Sequence, residues 1–260
     1  MICDRGVGTI LHERLFDGVT VIFPTDFDAG RRYPVLFHVY GGPGSQEVAD
    51  RWGGSERLWH HMLAEQLDMI IVGVDNRGTG GRGHAFKTIT QRRLGVLEAE
   101  DQIAAAQWLA RQPYVDGDRI GIWGWSYGGY LSLLAMLYGD GPSTFHAGMA
   151  VAPVSNWRYY DTIYTERFLG TPQDNAAGYD QGSPVTYADR MSEDQRLLLV
   201  HGDADDNVHV QNTMVMVDAL IAAGKQFELM LYPGRNHGIY GGTTRLHLFT
   251  LLTDFITENL

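Results

Sequence analysis

Gly124-Trp125-Ser126-Tyr127-Gly128 follows an apolar run containing Ile120 and Ile122 and precedes a second apolar stretch, Tyr130, Leu131, Leu133 and Leu134. A serine between small residues, on a turn from strand to helix, is the arrangement that lifts a hydroxyl out of the backbone as a nucleophile. The turn is tight, so the positions two residues to either side must be small. The serine then stands at a helix N-terminus, where free N–H groups and the positive end of the dipole favour a developing oxyanion. A serine hydroxyl is a weak nucleophile at neutral pH and needs a base.

Ten histidines compete for that role. His237 lies in Asn236-His237-Gly238, after an apolar run and before the last helical stretch. That gives the chain order serine, acid, histidine expected for a nucleophile on such a turn. His201 ends a strand-like run before the candidate acids, His209 sits at the edge of a helical stretch, and His247 lies within one. His38 lies inside an apolar run and reads as structural. The acid should follow the strand at 197–201, where Asp203, Asp205 and Asp206 stand together, and spacing leaves all three open. Its work would be to hold one imidazole tautomer and stabilise the imidazolium.

These residues need a scaffold that brings three distant loops together. Val19–Phe23, Val35–Tyr40, Met69–Val74, Arg119–Gly124, Met149–Ala152, Leu197–His201 and Phe227–Tyr232 read as strands. Leu97–Gln112, the stretch after Ser126, Val210–Ala223 and Thr244–Leu260 read as helices, with Ile103, Ala106 and Ala110 at helical spacing. Alternating strands and helices predict a mostly parallel sheet covered on both faces, with function in loops at the carboxyl ends of the strands. With the serine turn and the order serine, acid, histidine this is an α/β-hydrolase fold. The last helix carries two apolar stripes. Leu248, Leu251, Leu252 and Phe255 form one, and Leu246, Phe249, Ile256 and Leu260 the other. One stripe can face the sheet, and the other needs a cover.

The chain's 260 residues suffice for one α/β domain, read here as spanning 1–260, and no linker, repeat or low-complexity tract divides it. A net charge of −11 argues against a nucleic-acid partner, which would need a basic surface. A single cysteine, Cys3, excludes an intramolecular disulfide and a cysteine metal cluster, and no metal or cofactor is expected. The first ten residues lack a basic segment followed by an apolar run, so no signal peptide is expected and the default compartment is cytoplasmic. No apolar run approaches the roughly 18 residues of a membrane span.

Several motifs together resemble the catalytic domain of the dipeptidyl peptidase IV group, in the prolyl oligopeptidase family of serine peptidases. They are Arg-Arg-Leu-Gly at 92–95 with Glu-Asp-Gln at 100–102, Gly-Trp-Ser-Tyr-Gly-Gly at 124–129, and Ala-Val-Ala-Pro-Val-Ser at 150–155. Tyr-Tyr-Asp-Thr-Ile-Tyr-Thr-Glu-Arg at 159–167 and His-Gly-Asp-Ala-Asp-Asp-Asn-Val-His at 201–209 complete the set. The resemblance implies Ser126, Asp205 and His237 as the triad, which selects among the three aspartates. It implies an oxyanion hole made by the Tyr40 hydroxyl and the backbone N–H of Tyr127. It implies a proline pocket from Tyr127, Val154, Trp157, Tyr160, Tyr164 and Val208, with Asn207 bonding the substrate backbone. It also implies a homodimer built through the C-terminal helix, which would cover the second stripe.

The expected activity is cleavage of peptides after proline through an acyl-enzyme, with a stand-alone carboxylesterase acting on short acyl esters as the alternative. A non-enzymatic interaction module is a third reading, against which the retained serine, acid and base all count. The family's β-propeller and the paired glutamates that grip a substrate's amino terminus have no counterpart in these residues. The expectation is a fragment or excised catalytic domain of a longer peptidase, with a free-standing hydrolase derived from one as the alternative.

Overall fold

The computed structural model describes residues 13–16, 18–51, 53 and 57–260. Cys3 and the rest of the first ten residues lie outside the described part. Eight strands form one sheet: β1 (Glu13–Phe16), β2 (Val19–Ile22), β3 (Tyr33–His38), β4 (Ile70–Val74), β5 (Val115–Trp125), β6 (Ala147–Val151), β7 (Arg196–Gly202) and β8 (Glu228–Tyr232). Their spatial order is β1-β2-β4-β3-β5-β6-β7-β8. β1 and β2 pair antiparallel, β2 pairs antiparallel with β4, and every later pairing is parallel.

Side-chain alternation builds two cores, because a strand's successive residues point to opposite faces. Val35 and Phe37 of β3, Ile120 and Ile122 of β5, and Leu197 and Leu199 of β7 point to one face. There they meet α3 (Val96–Ala110), α4 (Tyr127–Leu137) and α7 (Gln211–Ala222) through Ile103, Leu131, Leu134 and Met216. Leu36, Trp123, Leu198 and Val200 point to the other face and meet α1 (Leu58–Leu67) and α8 (Thr244–Asn259) through Leu63, Leu248, Leu252 and Phe255. Both faces are covered, as a mostly parallel sheet requires. The chain crosses from β4 to β5 on the far side of β3, so strand order reverses between β3 and β5. Loops leaving the carboxyl ends there flank a crevice suited to a ligand.

The expected strands and helices are present, with shifted ends. The strand expected to reach Tyr40 stops at His38, and Tyr40 stands in the following loop where Gly41, at φ 71°, turns the chain. β5 begins at Val115, four residues before the apolar run that announces it, because Asp116–Arg119 are polar and partly exposed. α1, α2 (His84–Thr88), α5 (Thr162–Leu169) and α6 (Ala176–Gln181) were not anticipated. α5 and α6 are short, and each is held by a side-chain cap, Asp161 on Tyr164 N and Asn175 on Gly178 N.

α1 also changes the reading of the second stripe on α8. Ile256 of that stripe is buried, Phe249 packs on Trp59 with ring centroids 5.2 Å apart, and Trp59 Nε1 donates to Thr253 Oγ1 at 2.9 Å. Leu260 packs into the same core, and only Leu246, 71% exposed, faces solvent. The cover that the stripe demanded is therefore supplied from within the chain. Among the described residues no helix is long and apolar enough to cross a membrane.

Candidate active site

Ser126 occupies the junction of β5 and α4 with φ 60° and ψ −119°, a backbone conformation that L-residues rarely adopt. Its N–H donates to Val151 O at 2.8 Å, and its carbonyl accepts the first bond of α4, from Tyr130 N at 2.9 Å. The glycines at either side are required by contact. A Cβ on Gly124 or Gly128 would run into the carbonyl of Val39, and the two glycines also face each other. This close approach holds the turn rigid. Tyr127 is the first residue of α4, and its N–H has no partner within the helix.

The candidate acid and base sit on the turns after β7 and β8. Asp205 Oδ1 accepts the N–H groups of Asn207 at 2.9 Å and Val208 at 3.0 Å, and its Oδ2 takes His237 Nδ1 at 2.7 Å. The carboxylate is fully buried, while the His237 side chain is 23% exposed. Burial by itself would raise the Asp205 pKa. Hydrogen bonding from His201 and His237, the His237 charge and the Asn207 N–H outweigh it and hold the carboxyl well below its usual range. An ionised Oδ2 keeps the proton of His237 on Nδ1, which leaves Nε2 able to accept. Trp125 Nε1 donates to His237 O at 2.9 Å, so the residue just before the serine is tied to the histidine's own backbone. Among the described residues no hydrogen bond joins Ser126 to His237. Such bonds are often long before substrate arrives.

The remaining candidates have other partners. Asp203 Oδ1 accepts from Gly234 N at 2.6 Å and braces the turn after β8, and Asp206 is exposed. His247 Nδ1 meets the Tyr232 hydroxyl at 2.8 Å, and His38 packs 4.6 Å from the buried His60 ring.

The residues expected to form the oxyanion hole and the proline pocket pack together next to Ser126. The Tyr40 and Tyr127 rings lie 6.0 Å apart, and Tyr127 and Trp157 5.7 Å. Trp157 stacks on Tyr164 at 6.2 Å and 17°, and Tyr160 meets Tyr164 edge-on at 5.4 Å. Val154 and Val208 are buried in the same core. Asn207 Oδ1 accepts from the Tyr160 hydroxyl at 2.8 Å, which leaves its amide N–H groups as the donors it can offer. Burial, and then Glu47, push the Tyr40 phenol's pKa up, so it stays protonated. A cavity of about 490 Å³ opens elsewhere, at the amino ends of β7 and β8, and none of these residues lines it.

Two residues bonded to the site were given no role by the sequence, although His201 was weighed there as a base. Glu98 is fully buried on α3, accepts from Gly95 N at 2.9 Å and takes the Tyr127 hydroxyl at 3.1 Å. Its signal was its place three residues after Gly95, where a glutamate at the third helical position can accept the N–H of the residue that opens the helix. The second is His201, whose signal was a polar residue at a buried strand position.

Comparison with known proteins gives the family and the fold. A profile of the prolyl oligopeptidase family matches residues 55–260. A probable dipeptidyl-aminopeptidase B of Trichophyton verrucosum is 48% identical over 218 residues, covering 84% of this chain and 24% of the relative. One from Grosmannia clavigera is 44% identical over 234 residues, covering 90% and 24%. The chain thus spans about a quarter of the length of these curated relatives. The crystal structure of Porphyromonas gingivalis dipeptidyl peptidase 4 superposes with a TM-score of 0.89 at 47% identity, covering 97% of this chain and 35% of that one. A putative dipeptidyl aminopeptidase IV from Bacteroides ovatus gives 0.87 at 36% identity, covering 93% and 33%.

Proposed function

Because the chain belongs to the prolyl oligopeptidase family of serine peptidases, we propose that residues 1–260 form a catalytic unit that cleaves peptides after proline, with Ser126 as nucleophile, His237 as base and Asp205 as orienting acid. The observation that carries this reading is the 2.7 Å contact between Asp205 Oδ2 and His237 Nδ1, on a histidine whose backbone is bonded to the residue before Ser126. In the first step Ser126 Oγ bonds to the scissile carbonyl carbon while His237 Nε2 takes the hydroxyl proton. The carbonyl oxygen becomes an oxyanion, met by the Tyr127 N–H and the Tyr40 O–H. The C–N bond then breaks, and His237 returns its proton to the leaving amine. Water repeats the sequence on the acyl-enzyme, releasing the acid and restoring the serine.

The aromatic cluster suits proline. A pyrrolidine ring is compact and has no N–H, so it asks for apolar contact and no hydrogen-bond partner. Tyr127, Val154, Trp157, Tyr160, Tyr164 and Val208 offer that contact, and Asn207 would donate to the preceding carbonyl. The names of the relatives favour a peptidase over the carboxylesterase alternative. A homodimer through the C-terminal helix keeps as its ground only the exposed residues there, Leu246 at 71% and Tyr240 at 61%.

The test of the chemistry is Ser126→Ala. Turnover of a Gly-Pro anilide and labelling by a fluorophosphonate should both vanish while thermal unfolding stays within a few degrees of wild type. Residual activity above about a thousandth, on clean protein, would point to another nucleophile.

A further inference from the structure

We propose that His201 is a positioning residue for Asp205, a second imidazole that locks the turn presenting the carboxylate to His237. The inference rests on the triad reading above and adds a fourth side chain to it.

His201 is the penultimate residue of β7 and is fully buried. Its Nδ1 lies 2.7 Å from Thr213 Oγ1 on α7, and its Nε2 lies 2.7 Å from Val208 O. The same Nε2 is 3.2 Å from Asp205 Oδ2. A carbonyl and an ionised carboxylate can only accept, so Nε2 carries the proton. In the neutral ring Nδ1 then accepts from the Thr213 hydroxyl. The ring is thereby fixed at both nitrogens, by a helix on one side and by the catalytic turn on the other.

Val208 closes the arrangement. Its carbonyl takes the His201 proton, while its N–H donates to Asp205 Oδ1 at 3.0 Å. The residue whose N–H orients one carboxylate oxygen is therefore itself held by His201 through its carbonyl, and the other oxygen has His201 as a neighbour. That second oxygen is the one His237 Nδ1 approaches at 2.7 Å. A bare packing role would be met by a leucine, with no polar ring to satisfy in the core.

Two effects follow. Loss of the Nε2–H group frees the 205–208 turn and loosens the acid. It also removes an N–H dipole beside Oδ2, leaving a carboxylate that binds the imidazolium of His237 more strongly. The base then becomes harder to deprotonate, and the acid limb of activity moves to higher pH. The charged and titratable groups facing this point are Asp205, His237 and the Tyr160 phenol, which feels the Asp205 charge. Asp203 is turned to Gly234 N and Asp206 to solvent.

The experiment uses the full chain with His201→Gln, His201→Asn and Thr213→Val, and reads kcat, KM, the pH profile and thermal unfolding on a Gly-Pro anilide and nitrophenyl butyrate. A glutamine amide nitrogen reaches about where Nε2 lies, whereas that of asparagine reaches only about as far as Nδ1. His201→Asn should lower kcat by about tenfold or more, the usual effect of losing a supporting hydrogen bond, with KM within about threefold. Its acid limb should move up in pH, and His201→Gln should restore most of kcat and the original limb. Should His201→Asn not fold, Thr213→Val removes the other anchor of the ring and should give a smaller shift in the same direction. If Asn and Gln lose activity equally, in step with stability and with the limb unmoved, His201 only packs. An unchanged profile in Thr213→Val overturns the proposal in the same way. His237→Ala separates the two readings: activity with its acid limb intact in that variant sinks the triad itself, whereas an inactive His237→Ala beside an unaffected His201→Asn sinks only this inference.

Discussion

Tyr40 and Glu98 show how single side chains near Ser126 are set by their surroundings. The Tyr40 phenol is kept neutral and can donate to an oxyanion. Tyr40→Phe should therefore lower kcat by about 10²–10³, the usual loss for one donor, without moving the unfolding midpoint. An unchanged kcat would return Tyr40 to packing. Glu98 is the opposite case, an acid whose burial raises its pKa to about 7 against hydrogen bonds from Gly95, its own backbone and Tyr127. The unfolded value is near 4.5, so the folded chain holds a proton that the unfolded chain has lost between those two values. Stability is then fully present below about pH 4.5 and falls as pH rises through about 7, by on the order of 3 kcal/mol. Glu98→Gln should remove that slope. Urea unfolding at pH 5 and pH 8 measures it, and an identical slope in the variant would assign the pH dependence elsewhere.

At the scale of elements, the site depends on how closely α4 and the end of β5 approach the chain leaving β3. The Val39 carbonyl touches the space that a Cβ on Gly128 would need, and backbone cannot yield as a side chain can. Gly128→Ala should cost about 3 kcal/mol or more, or prevent folding. Gly139→Ala is the control. Gly139 has φ 55° but no atom within 4 Å of its would-be Cβ, so only the backbone cost of about 1–2 kcal/mol applies. Equal losses, measured by chemical unfolding, would mean that α4 can shift and that the turn is not held by contact.

At the scale of the whole molecule, the proposed proline pocket has no free carboxylate beside it, among the described residues, to grip a substrate's amino terminus. The carboxylates beside the pocket are engaged: Asp161 caps α5 through Oδ1, and Asp205 holds His237. Apolar packing of one ring supplies only about 1.5–3 kcal/mol. A scissile amide displaced by about 1 Å can lose about 10² in rate. Activated short-chain esters, with a better leaving group, should be hydrolysed readily. Xaa-Pro anilides should be cut slowly, with little difference between a free and an acylated amine. Comparison of kcat/KM for a nitrophenyl butyrate, a free Gly-Pro anilide and its acylated form checks this. A strong preference for the free amine would reveal an anchor within the 260 residues or in a second copy. Sedimentation at micromolar concentration decides the second copy: a dimer dispersed by Leu246→Glu supports pairing at the end of α8 where that residue lies exposed, and a monomer ends it.

The alternation of apolar runs and amphipathic stretches was enough to determine a covered parallel sheet, because strand and helix periods are local properties of the chain. The setting of Ser126 between glycines, on a strand-to-helix turn, was legible for the same reason. His237 followed from chain order. Spacing left Asp203, Asp205 and Asp206 equivalent. The motif likeness selected Asp205, and the tertiary structure gives the three aspartates different partners. Only Asp205 is wrapped by the N–H groups of its own turn with an oxygen turned to His237, while Asp203 braces the loop after β8. The cover of α8 by Trp59 and its neighbours, the Glu98–Tyr127 bond and the contact of His201 with the 205–208 turn were decided only in three dimensions. The first two join residues far apart in the chain, and the third depends on a turn that returns Val208 to the strand. No periodicity in the sequence encodes such meetings, because they depend on where whole elements come to rest against one another.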